Sequence, residues 1–168
     1  MPATNELRFI KHANKLFQGQ PEAEVIAYAA AKVGLDLDTA TKLYKKHQKF
    51  LKTNLNDGEH SAGLVVGEGG ESSYYLILLP SMLEKNTPWK AGLAWAKSQG
   101  GDLPTPKEQT ILFAKLRDQF AEMWYWSNMP HGDNKYWAFI QHFKSMEQYA
   151  ADKVDAYAAR AIRRLYVN

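Results

Sequence analysis

Apolar residues in the first 55 positions recur at the three- and four-residue spacing of amphipathic helices. The spacing predicts a first helix that Asn5 caps and Gly19 ends. An alanine-rich second helix is predicted from about Glu22 to Val33, with Gly34 closing it. The apolar face of the first helix consists of Leu7, Ile10 and Phe17.

A third helix is predicted from a cap at Asp36 or Asp38 to about Lys52, and it carries two opposed stripes. The apolar stripe contains Ala40, Leu43, His47, Phe50 and Leu51. The basic stripe contains Lys42, Lys45, Lys46, Lys49 and Lys52. Residues 1–55 are therefore predicted to form a three-helix head.

Residues 29–43 of the head resemble a helix-turn-helix, with Leu35, Ala40 and Leu43 as anchors of the second helix. Its polar face would then meet nucleic acid through Lys42, Lys45, Lys46 and Lys49. The same offsets of alanine, glycine and leucine occur in many helical hairpins, and a lysine stripe is usually a solvated helix face. Both interpretations stay open.

Beyond a turn signal at residues 54–58 the pattern changes, and strands alternate with helices. The predicted elements are strands at 62–67 and 73–79 joined by a hairpin turn at 68–71, helices at 89–98 and 106–120, a turn at 130–134, and strands at 136–143 and 160–167. Thr105 and Glu108 make a capping box around Pro106 at the start of the second of these helices. The order predicts an α+β fold with the head at 1–55 and a body at 60–168.

Charge and aromatic content divide at the same boundary. The head holds 9 Lys and Arg against 5 Asp and Glu, whereas all five tryptophans lie at position 89 or later. Over the 168 residues, 45% apolar and 23% charged residues are typical of a folded globular chain. The longest apolar run, 74–79, is far shorter than the roughly 20 residues of a membrane span.

The chain contains no cysteine, which excludes disulfides, thiolate metal ligands and cysteine nucleophiles. The residues after Met1 do not combine a basic stretch with an apolar segment, so no signal peptide is predicted. Both features predict a cytoplasmic location, and a component of a virion would share them.

Several short motifs of the body occur together in one bacterial and prophage family. They are Tyr75–Pro80, Ala94–Lys97, Gly100–Gln109, Trp124–Ser127, Tyr136–Ala138 and Ala159–Leu165. With them, residues 62–167 resemble the short C-type lectin-like proteins of Mu-like prophages, whose domain also ends a bacterial collagen-like adhesin. The resemblance implies a C-type lectin-like fold, with two helices flanking two small antiparallel sheets and the first and last strands of the domain paired.

The resemblance does not extend to the calcium motifs of sugar-binding C-type lectins. After Trp126, Ser127 and Asn128 the chain continues with Met129 instead of aspartate, and no acidic-Pro-Asn sequence occurs. Oxygens of Asp133 and Asn134 could join Ser127 or Asn128 around an ion, but turn formation is the favoured explanation. No metal and no cofactor are predicted.

The sequence also predicts no enzyme and no catalytic residue. The five histidines are scattered, without an i, i+4 pair on a helix, and Ser127 lacks the glycines of a nucleophile elbow. Arg160, Arg163 and Arg164 of the last strand are expected to pair with nearby acids.

Two functions are therefore compared. The favoured one is a non-catalytic, phage- or prophage-associated recognition protein whose body binds a host or phage protein, or a glycan, through loops at 122–136 and 143–158. Its candidate contact residues are Trp124, Trp126, Asn128, His131, Asp133, Asn134, Tyr136 and Tyr149. Trp124 and Trp126 alternate with Tyr125, which predicts one inward face and one stacking face, with the Trp126–Ser127 segment mostly in the core. The alternative is a DNA-binding regulator that uses the head, with the body as an oligomerisation or sensing module.

Overall fold

A computed structural model describes residues 4–14, 20–67, 71–83 and 85–167. Its contacts divide the chain into two compact units. The first unit takes residues 1–56, 63–75 and 165–168, and the second unit takes residues 57–62 and 76–164. The fold is α+β, with three N-terminal helices and two small antiparallel sheets.

Helix α1 spans Asn5–Ala13. A cap at Asn5 would place the first helical residue at Glu6, so the helix begins one residue earlier than predicted. Thr4, with extended backbone angles, is the cap, and its hydroxyl accepts a hydrogen bond from the amide of Leu7 at 3.4 Å. Asn5 is thus the first helical residue, and the prediction that it caps the helix was wrong. The predicted end at Gly19 and the apolar position Phe17 lie outside the described residues.

Helices α2 (Glu22–Val33) and α3 (Leu37–Asn54) have the predicted order and stops. Gly34 adopts φ +70° after α2, and the amide of Leu35 bonds back to the carbonyl of Ala30, which closes the helix. Asp36 caps α3 by accepting a hydrogen bond from the amide of Thr39 at 2.9 Å. Among the 18 residues of α3 only Ala40 is fully buried, so the predicted apolar stripe is mostly half-buried.

The first sheet contains β1 (His60–Val65), β2 (Tyr74–Met82) and β6 (Arg160–Tyr166), in the order β1-β2-β6. The resemblance implied that the first and last strands of the body pair, but β6 instead lies beside β2. Strand β2 takes the centre because Leu76, Ile77 and Leu78 are completely buried. Residues 68–70 of the predicted hairpin turn lie outside the described part of the chain.

Helices α4 (Trp89–Ser98) and α5 (Pro106–Leu116) confirm the two predicted for the body. The capping box is present, since Thr105 and Glu108 exchange hydrogen bonds of 3.1 and 2.8 Å through side chain and backbone. The predicted continuation of α5 to Phe120 is replaced by a 3₁₀ turn at Arg117–Gln119. None of the described helices is long and apolar enough to cross a membrane.

The second sheet contains β3 (Trp124–Pro130), β4 (Trp137–His142) and β5 (Gln148–Asp152), in the order β3-β4-β5. Part of each predicted loop is therefore strand, because β3 takes up seven residues of 122–136 and β5 five residues of 143–158. In the register, Ile140 of β4 lies opposite both Trp126 and Tyr149.

The core of the second unit surrounds Trp126, whose indole is completely buried and donates to the carbonyl of Thr87 at 2.7 Å. It belongs to one cluster with Leu79, Ala96, Leu103, Ala138, Ile140, Ala159 and Ala161. On the other side of β3, Tyr125 packs edge-on against Phe120 and Phe143. Both faces of β3 are thus covered at this point.

Three glutamines tie α5 to the second sheet. Gln109 donates to the carbonyl of Tyr125 at 3.0 Å, and Gln141 donates to the carbonyl of Gln109 at 3.2 Å. Gln148 of β5 then donates to the side chain of Gln141 at 2.7 Å. Because Gln109 and Gln141 are fully buried, these bonds fix the strands where water cannot compete.

The arginines of β6 separate into two kinds. Arg163 and Arg164 make two-bond ion pairs with Glu59 and Glu108, as predicted. Arg160 does not pair with an acid. Its buried guanidinium donates to the carbonyls of Gln119 and Leu79 and lies over the ring of Phe120.

Candidate functional site

The structure removes one residue from the predicted contact surface. Trp126 has no exposed area, and its polar atom is already bonded to Thr87, so it cannot reach a partner. The expectation that the Trp126–Ser127 segment lies mostly in the core is confirmed, because α4 and β2 supply core residues over that part of β3. The prediction that Trp126 is a contact residue was wrong. Trp124 lies two residues before Trp126 on the same strand and is half-buried at the edge of this core.

Most of the other predicted residues lie around the connection from β3 to β4. Asn134 accepts a hydrogen bond from the amide of Tyr136 at 2.9 Å, and His131 accepts one from the amide of Asp133 at 3.2 Å. Asn128 is half-buried, and its amide donates to the carbonyl of Pro104 at 2.9 Å. The side chains of Asn134 and His131 thus shape the turn, and the backbone of Asn128 attaches β3 to the segment before α5.

Trp124 and Tyr149 come together on the second sheet, although 24 positions separate them. Their ring centroids are 5.5 Å apart. Strand β4 lies between β3 and β5, and it pairs His142 with Trp124 on one side and Ile140 with Tyr149 on the other, so the two rings meet across it. Tyr149 is 57% exposed, so its ring offers a free face to solvent. This pair forms one wall of an open depression.

We call this depression the aromatic groove, a cavity of about 550 Å³ in the second unit. Its aromatic and acidic lining residues are Trp124, Trp137, Tyr149, Tyr157, Asp152 and Asp155. Trp137 is 41% exposed, which is unusual for the largest apolar side chain. Four of these lining residues were not among the predicted contacts. Trp137 was missed although it begins a strand that the sequence did predict. Asp152, Asp155 and Tyr157 were missed because β5 and the residues after it were taken for a loop.

The two aspartates of the groove lie in a tight turn after β5. The amide of Asp155 donates to the carbonyl of Asp152 at 3.0 Å, and the Asp152 carboxylate accepts from the amide of Val154 at 3.2 Å. Lys153, between them in the chain, donates to the carbonyl of Lys135 at 2.6 Å and lies over the ring of Trp89. Neither aspartate forms an ion pair with a described residue.

A second cavity, of about 480 Å³, lies in the first unit. His47 and the hydroxyl of Tyr75 share a hydrogen bond in its wall, and Leu7, Ile10 and Phe50 line it. Burial lowers the pKa of His47 to about 4, with Glu6 opposing and Lys46 reinforcing the shift. His47 is therefore neutral at physiological pH and serves the packing of the helices.

The four lysines predicted to contact nucleic acid are all exposed on α3. Lys42 pairs with Asp38 at 2.6 Å and Lys46 with Glu6 at 3.0 Å. Lys45 and Lys49 make no ion pair within the described residues. Two of the five lysines of the basic stripe are thus paired with acids of the first unit itself.

Metal-ligating and catalytic groupings are the remaining kinds of site among the described residues. No three His, Asp or Glu side chains converge there in a way that could hold a metal ion. The hydroxyl of Ser145 donates to Glu147 at 2.6 Å and lies 3.2 Å from Nδ1 of His142. The Ser145 hydroxyl donates its proton to the Glu147 carboxylate and not to the His142 imidazole, so His142 does not act as its base. These hydrogen bonds close the exposed turn from β4 to β5.

Comparison of the sequence with protein-family models finds no match, and none of the curated proteins matches it.

Proposed function

We propose that this chain is a non-catalytic recognition protein whose second unit binds a macromolecular partner through the aromatic groove. One observation carries the proposal, namely the four rings of Trp124, Trp137, Tyr149 and Tyr157 around a single open depression. Rings of this kind are enriched where proteins bind partners, because they bury much apolar area at little cost in conformational entropy.

The aromatic groove has a rigid framework. Its residues belong to β3, β4 and β5 or to the turn after β5, and the buried glutamines Gln109 and Gln141 hold the sheet from behind. Residues on strands with buried supports keep their geometry better than residues on loops. A partner would therefore meet a preformed surface.

The partner classes that this proposal admits are a protein and a glycan, of host or phage origin. The resemblance of the body to C-type lectin-like proteins of Mu-like prophages supports a phage- or prophage-associated role. A cysteine-free chain suits a reducing compartment, so we place this role in the host cytoplasm or on a virion. Self-association through the groove would make the protein a homo-oligomer.

The test compares two double variants of equal chemistry. Tyr149→Ala with Asp155→Asn changes the groove. Tyr136→Ala with Asp133→Asn changes exposed residues of the same types that the sequence predicted as contacts but that do not line the groove, and the proposal leaves them out of the binding surface. Each protein is immobilised and presented with a glycan array and with host lysate. We expect the wild type and the control variant to retain the same ligand and the groove variant to lose it. A ligand that all three retain equally would contradict the proposal.

A second candidate function is DNA binding by the first unit. It is favoured by Lys45 and Lys49, which lie four residues apart on the exposed side of α3 without ion pairs to described residues. In this alternative the second unit oligomerises or senses a signal. The salt dependence of binding to random duplex DNA separates the two, since each phosphate contact adds about one unit to the slope.

A further inference from the structure

We propose that the aromatic groove accepts a cationic side chain, arginine or lysine, from an extended segment of a partner polypeptide. This inference rests on the proposed function and narrows it to one class of ligand.

The charge of the groove is the first argument. Asp152 and Asp155 are its two carboxylates, and no lysine, arginine or histidine is among the described residues that line it. Lys153 is engaged elsewhere, with its ammonium on the carbonyl of Lys135 and over the ring of Trp89. Two carboxylates without ion pairs to described residues create a negative potential that attracts a cation and repels an acidic ligand.

The chemistry of the rings is the second argument. The faces of tryptophan and tyrosine attract cations, most strongly where water is partly excluded. The second unit already uses this contact, because Lys135 lies 5.0 Å from the ring centre of Tyr136 and Arg160 lies 5.1 Å from that of Phe120. Trp124, Tyr149 and Tyr157 provide the same kind of ring beside Asp152 and Asp155.

The balance of donors and acceptors is the third argument. The carboxylates only accept hydrogen bonds, and the aromatic side chains contribute few polar atoms. A guanidinium group has five donors and no acceptor, and an ammonium has three donors and no acceptor. A sugar can donate hydroxyl protons to the carboxylates, but it carries no positive charge and therefore leaves their negative charge without a counter-charge.

The position of β5 supports a polypeptide as the bearer of the cation. In the order β3-β4-β5 this strand is at the edge of its sheet, and Tyr149 lies within it. An edge strand can add an extended segment through main-chain hydrogen bonds. The partner's cationic side chain would then fall beside the strand that positions the groove.

The inference is tested by fluorescence anisotropy with three dye-labelled synthetic peptides of one length. They differ only at two central positions, which hold arginine, glutamine or glutamate within a glycine-serine sequence. Chitotriose serves as an unlabelled neutral competitor. We expect the arginine peptide to bind at least about tenfold more tightly than the glutamine peptide, and the glutamate peptide to be weakest, with binding of the arginine peptide weakened by added salt.

Single variants locate the binding. Asp155→Asn and Tyr149→Ala should each weaken binding of the arginine peptide about tenfold, whereas Asp133→Asn and Tyr136→Ala should leave it unchanged. Melting curves verify that all four variants fold. Equal binding of the arginine and glutamine peptides, or binding that neither groove variant weakens, would overturn the inference.

The outcome also distinguishes the inference from the proposed function. Chitotriose or the glutamine peptide could bind as tightly as the arginine peptide, with Tyr149→Ala abolishing that binding. The groove would then recognise a neutral ligand, and only the inference would fail. If no peptide, glycan or lysate component binds in a way that depends on the groove, both fail.

Discussion

Glu108 and Arg164 form a buried ion pair that joins the first turn of α5 to β6. The guanidinium donates two hydrogen bonds of 2.7 Å to the two carboxylate oxygens, and Glu108 is 1% exposed. One of these oxygens also accepts the amide of Thr105 at 2.8 Å, which completes the capping box. A single carboxylate therefore starts the helix and attaches it to the strand.

Removing the charge of Glu108 should destabilise the protein strongly. Glu108→Gln removes the main counter-charge of the partly buried Arg164, which keeps only the more distant carboxylate of Asp102 at 3.7 Å. Breaking a buried pair from one side costs about 3 kcal/mol. Urea denaturation of the two proteins measures the difference. The matched control is Glu122→Gln, whose exposed ion pair with Lys144 should leave the midpoint nearly unchanged. Equal midpoints for Glu108→Gln and Glu122→Gln would contradict the buried pair.

Gly101 lies where the chain after α4 passes β6. A Cβ atom at this position would be 2.3 Å from the carbonyl oxygen of Ile162 and 2.8 Å from Leu79. The strand pairing of Asp102 with Ile162 leaves no room for the backbone to retreat. Gly101→Ala should thus lower the free energy of unfolding by about 2 kcal/mol.

Gly132→Ala is the control, because nothing lies within 4 Å of a Cβ there. Its effect should stay within about 0.5 kcal/mol. Comparable losses in the two variants would show that the close approach at Gly101 does not exist.

The elements that the sequence predicted well are those with local signals. The stop at Gly34, the cap at Asp36 and the box of Thr105 and Glu108 depend on residues within one turn of each other. Strand β5 was missed because its residues, Gln148–Asp152, do not alternate apolar and polar. It exists through pairing with β4, and such tertiary pairing is invisible in a short window of sequence.

His47 should titrate well below an ordinary histidine. Its pKa is about 4 in the folded protein against 6.5 for the free side chain, because burial penalises the imidazolium. Between these values the unfolded chain binds a proton that the folded one does not, so stability falls as the pH drops from about 6.5 towards 4. An NMR titration of the His47 imidazole measures this directly, with the urea-unfolded protein as control. A folded-state midpoint near 6.5 would contradict the burial of His47 beside Tyr75.

The exposed lysines of α3 should tolerate reversal of charge. Lys45→Glu with Lys49→Glu should leave folding and oligomeric state unchanged, because neither lysine has an ion pair among the described residues. Duplex binding by the wild type should be weak and not selective for sequence, in the micromolar range typical of non-specific contacts. Electrophoretic mobility shifts on specific and random duplexes measure it. Nanomolar, selective binding that the double variant abolishes would place the DNA-binding alternative first.

The candidate site was only partly accessible from the sequence. Tyr149 and Trp124 were identified as aromatic candidates, but nothing in their spacing shows that β4 would bring their rings to 5.5 Å. The core position expected for the Trp126–Ser127 segment is confirmed. Trp126 was nevertheless counted among the contact residues, because alternation along a strand predicts one exposed face, whereas β3 is packed on both sides at this position. Asp152 and Asp155 became part of the site only through the turn that follows β5.

The central claim is that the aromatic groove is the recognition surface, and the tryptophan indoles test it most directly. Trp124 and Trp137 line the groove, whereas the indole groups of Trp89 and Trp126 are bonded internally to Ser127 and Thr87. In a ¹H–¹⁵N spectrum titrated with the arginine peptide, the account predicts that the indole signals of Trp124 and Trp137 move while those of Trp89 and Trp126 stay in place. Saturable shifts at Trp89 or Trp126 alone, with Trp124 and Trp137 unmoved, would contradict it.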